Sequence, residues 1–160
     1  PVIFLEPKRL YRAWREDVPE EPEVATIGQA CVVSPGEDIT VISWGAMMRP
    51  VLDALEDLQK RSPASVELID LLTVSPLDEE TIVASVKKTG RCVIVQESHQ
   101  SLGMASEIIA RINDAALMYL EAPVRRVSGY DVVTPYFGRE NHFLPGPARI
   151  VRAIEETLKF

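Results

Sequence analysis

Cysteine and histidine are scarce in this chain, with two of each in 160 residues. Cys31 and Cys92 stand alone, with no CxxC spacing, so neither a disulfide framework nor a cysteine-ligated metal site is expected. A single imidazole beside Phe143, at His142, makes no metal site either, and a structural or interfacial role is the simpler reading. No apolar run approaches the roughly 18 residues that cross a bilayer, so no membrane span is expected. Basic charge is also in deficit. The formal net charge of -7 argues against nucleic acid and against an anionic membrane surface, and it suits a basic protein partner. The signatures GxGxxG, GxxxxGK[ST], GxSxG and HExxH are all missing, which removes the commonest nucleotide and hydrolase readings. What remains is a chain rich enough in apolar residues, at 46%, to bury a core.

Residues 91–112, RCVIVQESHQSLGMASEIIARI, organise the rest. Cys92 to Val95 is an apolar run too short for a helix, and it fits a strand covered on both faces. Six polar side chains follow, from Gln96 to Ser101, and read as a loop. Gly103 and a helical pattern through Met104, Ile108, Ile109 and Ile112 come next. In open α/β sheets ligands lie at the carboxyl ends of strands, so Glu97 and His99 are the candidate walls of a small-ligand pocket. His99 would act as acid, base or hydrogen-bond donor. No nucleophile stands at a telling spacing from it.

At the front, Val2 to Leu5 is apolar at every position and reads as the last strand of a preceding domain. Residues 6–25 read as a linker with a run of acids, with Tyr11 and Trp14 pinning one short helical turn. The domain proper is expected over 26–160. Strands are expected over 27–33 and 39–44, joined by Ser34-Pro35-Gly36 as a hairpin. Gly45 and Ala46 read as a tight turn rather than a phosphate cradle. A helix with Met47, Met48, Val51, Leu52, Leu55 and Leu58 on its apolar face follows, with Pro50 in its first turn. Further strands are expected over 66–71 and 124–127. Asp78 reads as an N-cap, Gly90 as a helix stop, and Pro147 as the first residue of a last helix. Strands alternating with helices predict an α/β fold with helices on both faces of a mostly parallel sheet and the first strand as an antiparallel edge.

Longer matches then accumulate in one order: PVIFLEPKRLYR, EDVP, DITVISWGA, VELIDLLTVSPLDEETI, VKKTGRCVIVQES, YLEAPVRRVSGYD and FLP. Together they resemble the C-terminal half of the β subunit of the thiamine-diphosphate-dependent 2-oxo acid dehydrogenases. The resemblance implies a transketolase C-terminal-like domain, a three-layer α/β/α sandwich on a mixed sheet of about five strands. It implies a whole enzyme that decarboxylates pyruvate or a branched-chain 2-oxo acid and reductively acylates a lipoyl group. Thiamine diphosphate and Mg would be bound outside this chain, so no catalytic, cofactor-binding or metal residue is carried onto it. The implied partners are an α subunit, a second β subunit in an α2β2 tetramer, and the basic subunit-binding domain of the acyltransferase core. Family docking positions match Glu121 in YLEAP and the carboxylate of Phe160. The expected location is the cytoplasm, or the mitochondrial matrix in a eukaryote. Many relatives carry His-Glu-Ala where this chain has Gln96-Glu97-Ser98. The competing expectations are a docking or regulatory module without catalysis, and the Glu97/His99 pocket.

Overall fold

The computed structural model describes residues 1–160 apart from 2, 4, 5, 14, 16, 19, 22 and 23. The apolar run expected to end a preceding domain, and Trp14, therefore lie largely outside the described residues. Five strands form one sheet: β1 (Cys31–Ser34), β2 (Ile39–Ser43), β3 (Val66–Asp70), β4 (Cys92–His99) and β5 (Arg125–Gly129). Among the described residues five α-helices accompany them: α1 (Met48–Gln59), α2 (Glu79–Thr89), α3 (Met104–Ala116), α4 (Glu140–Phe143) and α5 (Pro147–Thr157). The strand order is β1-β3-β2-β4-β5, and every pairing is parallel except β1 with β3.

Each central strand buries both of its faces because successive side chains point to opposite sides of the sheet. Val41, Leu68 and Val93 join a core with Val51 and Leu55 of α1 and Ile150 and Ile154 of α5. Their neighbours Ile42, Ile69 and Ile94 join a second core with Ile82 and Val86 of α2 and Ile108 and Ile112 of α3. Three layers result, as expected. The two apolar faces explain why these strands read as unbroken hydrophobic runs.

Local chemistry sets the element ends. Asp78 caps α2 by accepting the Thr81 N–H at 3.0 Å, and Gly90 closes the helix in the left-handed region at φ 68°. Gly45 is also left-handed and opens a 3-10 turn at Gly45–Met47, the tight turn expected there. Pro147 is the first residue of α5, where its missing N–H costs nothing.

Four expectations need correction. First, β1 and β2 are not a hairpin: β3 lies between them, with Val32 opposite Ile69 and Ile42 opposite Ile69 from the other side. β2 is buried at every residue and needs a strand on both edges, whereas β1 is largely exposed and tolerates an open one. Second, β4 does not end at Val95. It bulges after Val95 and continues to His99, which pairs with Gly129 of β5, so Gln96, Glu97, Ser98 and His99 sit on a strand. Third, Leu52 faces solvent, because the buried stripe of α1 runs through Val51, Ala54, Leu55 and Leu58. Fourth, the helical turn in the linker is a 3-10 turn at Lys8–Leu10, and Leu10 pins it to the α1/α5 core. Tyr11 is exposed and donates to the Glu6 carboxylate at 2.6 Å.

Candidate functional site

The carboxyl ends of β3, β4 and β5 carry the residues singled out from sequence. Gln96 is the buried centre of this region. Its Oε1 accepts the Ala105 N–H at 2.8 Å in the first turn of α3, and its Nε2 donates to the His99 carbonyl at 2.8 Å. One side chain thus ties the end of β4 to the start of α3. Gly103 permits the close approach, since a Cβ there would stand 2.1 Å from Gln96 Nε2. The sequence reading missed this role. Its one signal was an amide directly after an apolar strand and seven residues before a glycine.

His99 also turns inward. Its Nε2 lies 2.7 Å from the Val132 carbonyl, which only accepts, so this nitrogen carries the proton. The ring meets Phe143 edge to face at 5.4 Å. Asp131 accepts from the Ser101 N–H at 2.9 Å and the Ser101 hydroxyl at 2.7 Å. Those two bonds hold its carboxyl below the ordinary aspartate value. Arg126 donates to the Gln100 carbonyl and the Ser106 hydroxyl, both at 2.8 Å. Arg149 donates to the Ser128 carbonyl at 2.6 Å and lies over the Tyr130 ring at 4.4 Å. Asp78, besides capping α2, accepts the Ala30 N–H at 2.8 Å and anchors the entry to β1. Burial alone would raise its pKa, but the bonds from Ala30 and Thr81 outweigh it and lower the value. Asp70, at the end of β3, is raised by burial against one opposing bond from the Leu72 N–H.

Glu97 is the exception, because its side chain is exposed. It lines a cavity of about 590 Å³ with Pro7, Lys8, Arg9, Phe137 and Glu140. His99 is not among the walls. The structure therefore does not gather Glu97 and His99 around one cavity. His142 is exposed on α4.

The other end of the sheet holds the docking candidates. Glu121 follows a 3-10 turn at Leu117–Tyr119, and its carboxylate meets Arg91 Nη1 at 2.6 Å while staying largely exposed. Its own N–H donates to the Gly90 carbonyl at 2.8 Å. Beside it Ile109, Leu117, Leu120, Pro123 and Val124 line a groove of about 500 Å³. Phe160 lies past the last turn of α5 with its side chain exposed. Near it, Arg125 of β5 pairs with Glu156 of α5 at 3.0 Å. Glu121 and Phe160 thus share the amino end of the sheet, on opposite layers.

A magnesium diphosphate needs oxygen ligands converging on the metal and cations or free N–H groups on the phosphates. Among the described residues no three of His, Cys, Asp or Glu are grouped to hold a metal ion. Gln96 is bonded to His99 and Ala105, Ser101 to Asp131 and Ser106 to Arg126, while Glu97 stays exposed. The described residues offer no such set of groups for that cofactor.

The family described as "Transketolase, C-terminal domain" matches residues 28–150. The chain belongs to the transketolase C-terminal domain family. Within this family setting, the chain is 45% identical over all 160 residues to the "Pyruvate dehydrogenase E1 component subunit beta" of Staphylococcus aureus. It is 46% identical over the same length to the subunit of that name in Staphylococcus epidermidis. The chain spans about half the length of the curated relatives it matches, 49% in both cases. A solved structure titled "Split gene transketolase, inactive beta4 tetramer" superposes with a TM-score of 0.74 over 91% of this chain and 47% of that one. At 24% identity it speaks to the fold alone, and the fold agrees with a transketolase C-terminal domain. No helix among the described residues is long and apolar enough to cross a membrane.

Proposed function

We propose that this chain is the C-terminal assembly and docking domain of the β subunit of a thiamine-diphosphate-dependent 2-oxo acid dehydrogenase. The carrying observation is similarity along the whole chain, at 45% identity, to pyruvate dehydrogenase E1 β subunits. The inward-bonded strand ends support the same reading, because they leave little free chemistry to assign here. The whole enzyme would decarboxylate a 2-oxo acid and pass the acyl group to a lipoyl arm, working in the cytoplasm or the mitochondrial matrix. Thiamine diphosphate and Mg would sit outside this chain. Its partners would be an α subunit, a second β subunit and the basic subunit-binding domain of the acyltransferase core. Residues 26–160 would form the domain and 1–25 its approach from a preceding one.

In this reading Glu121 and Phe160 meet the basic partner at the amino end of the sheet. Glu121 is already paired to Arg91 in the free chain. An incoming cation must share or displace that arginine, so the contact would govern on-rate and register more than raw affinity.

The test is turnover with a 2-oxo acid, thiamine diphosphate, Mg²⁺ and an artificial electron acceptor. The chain alone should give none, while the full-length β subunit assembled with its α subunit should. Turnover by the chain alone, or saturable binding of the cofactor to it, would sink the proposal.

A further inference from the structure

The open edge of the sheet at β5 gathers positive charge in a chain that is acidic as a whole. β5 is the last strand of the order and pairs with β4 alone. Arg126, Val127, Arg149, Arg152, Ala153 and Glu156 line a cavity of about 200 Å³ between this edge and α5. Three guanidiniums therefore meet one carboxylate there, against a formal net charge of -7 for the chain. Arg125 also reaches Glu156, at 3.0 Å.

The arginines are not equivalent. Glu156 accepts from Arg152 at 2.8 Å and so answers Arg125 and Arg152 together. Arg126 and Arg149 have no carboxylate in ion-pair reach among the described residues. Their bonds go to neutral groups: Arg126 Nη1 to the Gln100 carbonyl and the Ser106 hydroxyl, Arg149 to the Phe143 and Ser128 carbonyls. The Tyr130 ring backs the Arg149 guanidinium. Those bonds hold both side chains in place, so little further freedom is lost when a ligand arrives. They also leave Nε and Nη2 of Arg126 and Nε of Arg149 without a bond among the described residues. Two half-buried like charges on one cavity repel each other unless an anion answers them.

We propose that this edge is a binding site for a phosphate dianion, free or carried by a small ester, with Arg126, Arg149 and Arg152 as its donors and Glu156 as the carboxylate it displaces. Guanidinium forks match phosphate oxygens two at a time, and a dianion balances the two unanswered cations. The cavity is below the roughly 300–1,000 Å³ of pockets for larger ligands, so it suits a phosphate with few carbons rather than a nucleotide. Val127 and Ala153 supply an apolar wall for those carbons. The acidic balance of the chain disfavours a long polyanion such as nucleic acid. The proposal stands apart from the reading of the chain as part of a β subunit, since it uses only side chains of β5 and α5.

Calorimetric titration of inorganic phosphate, and separately of glycerol 3-phosphate, into the full-length protein that contains this chain tests the site. Saturable binding is expected at millimolar ligand or below. Equal affinity for the two identifies free phosphate as the ligand, and tighter binding of the ester identifies a small phosphate ester. Arg152→Met removes one donor from an exposed position and should weaken binding about tenfold. Glu156→Gln releases Arg125 and Arg152 and should tighten it several-fold. Arg111→Met, on α3 and paired to Glu79 and Glu107, should leave it unchanged. Absence of binding overturns the proposal, as does binding that Arg152→Met and Glu156→Gln both leave unaltered, or that Glu156→Gln weakens. A change in subunit assembly on Arg152→Met with the titration unmoved also overturns it, and makes the edge a protein contact instead.

Discussion

The two ends of the sheet solve different problems. At the carboxyl end Gln96, Ser101 and Ser106 are bonded to their neighbours, and exposed leucine, valine, tyrosine and phenylalanine stand beside the exposed Glu97. At the amino end ion pairs stand beside the exposed Leu117, Met118 and Phe160: Arg91 with Glu121, Arg125 with Glu156, and Lys88 with Glu37 and the buried Glu67. In many α/β enzymes the carboxyl end is where reactive groups converge. Here its loops expose several apolar side chains, which suits packing, while the ion pairs at the other end suit docking. Position in a fold predicts where to look; the bonding of the side chains decides what is found.

The sharpest break of that contrast is at Gly129. A Cβ there would stand 2.4 Å from the Phe143 ring and 2.9 Å from the Glu97 carbonyl, both held by the core. Gly129→Val should cost about 3 kcal/mol by overpacking, read as a lower urea midpoint. A cost below about 1 kcal/mol would show a carboxyl end that yields.

Gln96→Ala should come next. It leaves the Ala105 N–H and the His99 carbonyl without their partner in a buried place, at a cost of about 2–3 kcal/mol. Hydrogen exchange should quicken at Ala105 and leave the first turn of α2 unchanged.

Lys88→Met probes the amino end, with an expected loss of about 1–2 kcal/mol at neutral pH. Burial pushes the Glu67 carboxyl up, but bonds from Lys88, Ser85 and the Gly36 N–H together bring it below its ordinary value. A carboxyl held low in the folded state adds stability above its unfolded pKa, and that stability is lost as pH falls through the folded value. Without Lys88 burial gains weight. The stability gap between parent and variant should therefore narrow from about pH 7 to pH 4, as thermal melts would record. A gap that widens with acid would refute the assignment.

Glu121→Gln should have the smallest effect on the fold, within about 1 kcal/mol, because the Glu121 carboxylate is largely exposed even though Arg91 is mostly buried. Its effect on binding of a basic subunit-binding domain should be visible in the on-rate at low salt and fade at high salt. An equal loss of stability and binding would merge the two ends into one behaviour.

Much of the fold was legible. The strands expected at 39–44, 66–71 and 92–95, the Asp78 cap, the Gly90 stop and Pro147 depend on neighbours within a few residues, so the chain's own pattern carries them. The order β1-β3-β2 was not, since a short turn between two strands favours a hairpin unless a third strand competes for the same edge. The site was less legible still. Glu97 and His99 share a strand in sequence, but one faces a cavity and the other a carbonyl and a ring.

By itself the sequence determined the α/β class, the element types, the acidic balance and the likeness to a family, all of which rest on residue identity and short-range spacing. Only the tertiary structure decided that β3 divides β1 from β2, that Gln96 joins β4 to α3, and that Glu97 and His99 face different surroundings. Those features depend on contacts between residues far apart in the chain, where packing and desolvation outweigh local preference.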